Sequence, residues 1–94
     1  TLEPRILAPA AGALIAVDPD IPRGRQLVML SGSGLRAGDC WWIDGVATGR
    51  CGSAPTGIAL PTPGAHRVEL RDARGRALDQ ATFVVRGLPH IAMR

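Results

Sequence analysis

CWWIDGVATGRC, residues 40–51, decides how the rest of the chain is read. Asp44-Gly45 stands between two runs of β-type residues. A type I′ hairpin turn needs positive φ at both central positions, and Asp-Gly is among the pairs that supply it best. The stretch therefore predicts a hairpin, with DCWWID (39–44) leading in and VATGRC (46–51) returning. Successive strand residues point to opposite faces. Burying Asp44 beside a turn is unfavourable, so Trp41 and Ile43 are assigned to the core and Trp42 faces outward with Asp44. The register of the two cysteines stays open. A four-residue loop over 44–47 places Cys40 opposite Cys51. A two-residue loop places Cys40 opposite Gly49, and a bulge at that glycine would bring Cys51 back into line. A cross-strand disulfide is therefore feasible, though the spacing does not by itself require it. Closing a loop of this size would stabilise by roughly 3 kcal/mol in the chain-entropy model.

Outward from the hairpin, twelve glycines and eight prolines break the sequence into short β-type runs. That punctuation predicts an all-β domain. ILAP (6–9) and ALIAV (13–17) are strand runs separated by Ala-Ala-Gly, a loop or tight turn, and DPDIPRGR (18–25) is a polar loop. In QLVMLSG (26–32), Val28 and Leu30 take the core side and Leu27, Met29 and Ser31 the other. The proline-rich 52–64 segment holds at most one short edge strand around 57–60. AHRVELRD (65–72) alternates cleanly: His66, Val68 and Leu70 share the dry face, while Arg67, Glu69 and Arg71 share a solvated one. After a turn around Gly75, QATFVVR (80–86) directs Ala81, Phe83 and Val85 inward. The expected fold is an immunoglobulin-like antiparallel β-sandwich of six or seven short strands over residues 1–87, with 88–94 a C-terminal tail.

Ninety-four residues make one domain with a small core. Trp41, Trp42 and Phe83 are its only Phe, Trp or Tyr residues, so Leu, Ile, Val and Ala must fill the space around them. All eleven basic residues are arginine. Without lysine there is no phosphate-loop lysine, no Schiff base and no Ser-x-x-Lys nucleophile. The net charge is +3, with the arginines dispersed among eight acids, so no nucleic-acid partner is expected. A mildly basic surface still favours anionic cell-wall polymers. APAAGALIAV (8–17) lacks the basic leader of a signal peptide and is too short to span a bilayer as a helix. No direct membrane insertion by this domain is expected. The chain opens at Thr1, so any export signal or anchor is expected upstream.

No enzyme motif emerges. The glycines of GSGLRAG (32–38) do not have dinucleotide-loop spacing, and Ser31, Ser33 and Ser53 lack a nucleophile-elbow context. Cys40 and Cys51 are too far apart in sequence for a zinc-type pair, and His66 and His90 are isolated, so neither metal nor cofactor is expected. Glu69 reads as part of a solvated face, Asp72 as a turn cap, and Asp18 and Asp20 as a polar loop. Trp42 has two readings. Its indole either stacks on a sugar or docks a partner, with Arg67 and Arg71 beside it, or it lies under arginine stems.

Several segments together resemble the C-terminal domain of bacterial class A penicillin-binding proteins of the 1C type. They are ILAPAAGALIAVDPDIP, QLVMLSGSG, WWIDG, PTPGAHRVELRDARGRAL and FVVRG, in order across about residues 5–87. The resemblance implies a β-sandwich appended to a membrane-anchored peptidoglycan synthase that carries glycosyltransferase and transpeptidase domains and faces the periplasm. No catalytic residue carries over. The expected role is a non-catalytic accessory domain that contacts the parent transpeptidase domain or another periplasmic protein. The alternative is a peptidoglycan-binding module using Trp42 and surface arginines. The disulfide is not part of that pattern. It is inferred from the position of Cys40 and Cys51 together with the oxidising compartment implied.

Overall fold

The computed structural model describes residues 3–87, leaving aside the Arg23 side chain; the expected tail at 88–94 lies outside the described residues. Eight strands follow in order: β1 Arg5–Ala8, β2 Ala13–Ala16, β3 Leu27–Ser33, β4 Cys40–Ile43, β5 Val46–Cys51, β6 Thr56–Ala59, β7 Gly64–Arg71 and β8 Ala77–Arg86. One 3-10 turn, Arg23–Arg25, precedes β3. β1-β3-β6 form a three-stranded sheet and β2-β8-β7-β4-β5 a five-stranded one.

The all-β class is as the alternation implied, and two details differ from expectation. There are eight strands, not six or seven, because Thr56–Ala59 does pair, along β3. The sheets are not wholly antiparallel, because β2 runs parallel to β8, from Ala13 beside Phe83 to Ala16 beside Arg86. The physical reason lies in the short Pro9–Gly12 connection. It does not reverse the chain as a hairpin would. It moves the chain from β1, on the small sheet, across to the large one.

The core lies between the sheets. Leu30 from the small sheet meets Trp41, Val68, Leu70, Phe83 and Val85 from the large one, all at 0–1% exposure. Val28 is also buried. Ile43 is half-buried and packs against this cluster with Ile6, Ile15 and Ile58. These are the inward positions of each alternating run, so period-two patterning fixed the dry faces.

The hairpin register combines a tight turn with an irregularity. Asp44 (φ 50°) and Gly45 (φ 81°) make the two-residue turn, and Ile43 pairs with Val46 and Trp42 with Ala47. The return strand then bulges. Thr48, Gly49 and Arg50 stand opposite Trp41 alone, which brings Cys51 opposite Cys40. Gly49 adopts φ 79°, which a side chain would resist. The Thr48 hydroxyl closes the bulge, donating to the Trp41 carbonyl (2.8 Å) and accepting from the Arg50 amide (3.1 Å). Cys40 and Cys51 form a disulfide with their Cα atoms 4.0 Å apart.

Candidate functional site

Strand pairing assembles the most organised polar cluster on the outward face of the large sheet. Trp42 of β4 lies beside Glu69 of β7, and Glu69 beside Gln80 of β8. Arg67 and Arg71 flank Glu69 on its own strand at i±2, so all three point the same way. The Arg71 guanidinium sits over the Trp42 ring, 4.1 Å from its centroid. Its Nη2 also donates to Glu69 Oε1 at 2.9 Å, and Arg67 Nε approaches the same oxygen at 3.9 Å. A cation held over an indole by a carboxylate is fixed in place twice. Trp42 is half-buried, and the Arg67 side chain remains open to solvent.

One expectation is corrected here. Glu69 does not belong to a solvated face; it is only 6% exposed. A carboxylate between two arginines on a strand, with a tryptophan on the adjoining strand, is roofed by longer side chains. That arrangement was readable only once β4 was known to pair with β7. Glu69→Ala is expected to cost about 1–2 kcal/mol, because a charge-assisted hydrogen bond is lost. It should also release Arg71 from Trp42. Urea denaturation and the indole emission of the folded variant check the two effects; unchanged emission would mean that Glu69 does not hold the pair.

A second polar cluster was not anticipated. His66 lies on the inward face as expected, tilted against Phe83 with ring centroids 5.7 Å apart. As imidazolium, its Nδ1 donates to Asp44 Oδ2 at 2.6 Å and its Nε2 to the Thr62 carbonyl at 2.5 Å. Asp44 Oδ1 accepts from the Arg67 amide at 2.8 Å, and the Asp44 amide donates to the Arg67 carbonyl at 2.8 Å. The hairpin turn is thereby tied to β7 and to the loop before it. The Asp44 carboxylate, then the Thr62 carbonyl, raise the His66 pKa above its usual 6.5. The His66 hydrogen bond and the Arg67 amide lower that of Asp44 below 3.8.

The sign of the pH dependence follows. His66 binds its proton more tightly when folded, so its contribution is complete below the unfolded value near 6.5 and is lost as pH rises through the raised folded value. The Asp44 contribution is present above 3.8 and is lost as pH falls through its depressed value. The thermal midpoint should therefore decline on the alkaline side of about pH 6.5, and His66→Gln should flatten that limb. An unaltered slope in the variant would show that another group titrates.

Asp72, Asp79 and Asp18 serve local structure. Asp72, as expected of a turn cap, accepts from the amides of Arg74 and Arg76, both at 2.9 Å, and these bonds lower its pKa. Asp79 accepts the Ile6 amide at 2.8 Å and ties β8 to β1. They line a polar cleft of about 410 Å³ together with Glu3, Arg5 and Arg76. Asp18 accepts the Asp20 amide at 2.8 Å within the polar loop. Buried Gln26 braces that loop, its side chain donating to the Asp18 and Ile21 carbonyls and accepting from the Asp18 amide. Among the described residues, no three His, Cys, Asp or Glu side chains stand in a metal-binding arrangement, and no helix is long and apolar enough to cross a membrane.

Among known proteins, the model of the Penicillin-Binding Protein C-terminus Family matches residues 1–83. No curated protein and no solved structure matches the chain.

Proposed function

The chain belongs to the penicillin-binding protein C-terminus family, and from that premise we propose that it is a non-catalytic accessory domain of a bifunctional peptidoglycan synthase of the 1C type. In this reading it works on the periplasmic side and positions the parent enzyme through protein contacts, in the first place with the parent's own transpeptidase domain. The observation that carries the choice of contact is the capped tryptophan. Arg71 lies over the Trp42 ring at 4.1 Å, where a stacked sugar would have to sit. What remains open is part of the half-buried indole, a minor part of Arg71 and the long Arg67 side chain. Trp and Arg are the residue types enriched among binding hot spots, and here they are ordered before any partner arrives.

Binding of the chain to the separately produced transpeptidase domain tests this directly. Trp42→Ala is expected to weaken that binding roughly tenfold or more, with the chain still folded. Sedimentation with isolated peptidoglycan sacculi is the opposing measurement. Salt-resistant binding that depends on Trp42 would replace protein docking by wall binding, whereas binding lost in moderate salt would be arginine meeting an anionic polymer.

A further inference from the structure

We propose that His66 is a proton-dependent latch: protonated, it fastens the 61–63 segment between β6 and β7 to the hairpin turn, and on losing its proton it lets go of that segment and keeps the turn. The latch lies on the core side of the large sheet, apart from the Trp42 cluster, and does not depend on the docking role of Trp42. The two partners of the imidazole carry the inference. Nδ1 meets the Asp44 carboxylate at 2.6 Å, and Nε2 meets the Thr62 carbonyl at 2.5 Å. Both partners are acceptors, and neither has a proton to give. Only the imidazolium, with an N–H at each nitrogen, bonds to both. A neutral ring has one N–H and must turn a lone pair towards one of the two oxygens.

The proton that remains stays on Nδ1. A hydrogen bond to a charged acceptor is roughly twice as strong as one to a neutral carbonyl. A lone pair aimed at a carboxylate is also repelled more than one aimed at a carbonyl. Asp44 is the better anchored partner: its Oδ1 accepts from the Arg67 amide and its own amide donates to the Arg67 carbonyl, both at 2.8 Å. The ring itself is held on β7, against Phe83 of β8. Thr62 has no such ties. Pro61 and Pro63 carry no N–H. The ladder stops on either side of them, with the Leu60 amide on the Gln26 carbonyl at 2.9 Å and Gly64 paired with Val85. Among the described residues, the His66 contact is the hydrogen bond that fastens the segment between.

The step belongs to His66. Asp44 of the turn is the charged side chain in contact with the ring, with Arg67 of β7 beside it, while Phe83 of β8 and residues 61–63 bring no titratable group. Asp44 first and Thr62 second hold the proton on the ring, so release falls above the ordinary histidine value of 6.5. Asp44 stays ionised throughout, its own value being lowered. The 61–63 segment is also one wall of a cleft of about 280 Å³ that it forms with Val17, Gln26 and Leu60. The latch thus sets the shape of that cleft.

The test is a magnetic-resonance titration of the isotope-labelled chain from about pH 6 upward. The neutral His66 ring should be the Nδ1–H tautomer. The Thr62 carbonyl carbon should shift with the midpoint of the ring. The Thr62 amide should gain fast motion across that midpoint, whereas the Gly45 and Arg67 amides should not. In His66→Gln the Thr62 resonances should no longer follow pH, and in Trp42→Ala the titration should be unchanged. An Nε2–H tautomer, or motion gained at Gly45 or Arg67, would overturn the proposal, because the turn would then be the part released. So would a Thr62 that stays fixed through the midpoint of the ring, or one that still titrates in His66→Gln.

Discussion

Trp41→Ala is expected to remove about 3–5 kcal/mol of stability, the cost typical of deleting a large buried aromatic side chain. A domain of this size holds only about 5–15 kcal/mol in total. The variant should therefore be largely unfolded at modest urea, or fail to accumulate. Trp41 has no exposed surface and sits in the cluster with Leu30, Val68, Leu70, Phe83 and Val85. It touches the packing of both sheets, and no neighbour can move in to fill the space without leaving its own strand. Trp41→Phe should cost much less. The buried indole N–H reaches no acceptor among the described residues, so phenylalanine loses volume but also removes an unpaired donor whose burial costs about 1–3 kcal/mol. Chemical denaturation of the two variants is the measurement. Equal destabilisation would mean that the N–H is satisfied, and a stable Trp41→Ala would displace this residue from the centre of the core.

Loss of the disulfide is expected to cost about 3 kcal/mol, from the entropy released to the unfolded chain when the loop is no longer closed. The sequence separation of Cys40 and Cys51 is 11. The double variant Cys40→Ala/Cys51→Ala and the wild type in reductant should share one lowered urea midpoint. If reduction leaves the midpoint in place, the bulge and the pairing of β4 with β7 hold the hairpin by themselves. The bulged return strand is where the effect should appear first, because β5 is the edge of its sheet and bonds to β4 alone.

The dry faces were legible because each depends on one strand's own alternation. Val68 and Leu70, Phe83 and Val85, and Trp41 with Ile43 follow from counting in twos once the Asp44-Gly45 turn fixes the phase. What escaped depends on which strands become neighbours. The burial of Glu69 needs the pairing of β4 with β7. The clamp of His66 on Asp44 and Thr62 joins residues 22 and four positions apart. The parallel pairing of β2 with β8 places residues 70 positions apart side by side. Such contacts leave no periodic trace in a single sequence. The choice between cysteine registers was open for a different reason: a bulge is one local conformational decision, and Gly49 permits it without requiring it.

The crossing of the chain from β1 to β2 also sets how the domain carries load. β2 enters at Ala13 and runs the same way as its neighbour β8, which leaves at Arg86. Tension applied to the two ends of this pair pulls the strands along their own axes in opposite directions. Their hydrogen bonds must then give way together instead of opening one after another. Ahead of them, β1 pairs antiparallel with β3. The fold is thus built to resist stretching from end to end, and to transmit a pull between whatever is attached on either side of it with little extension of its own.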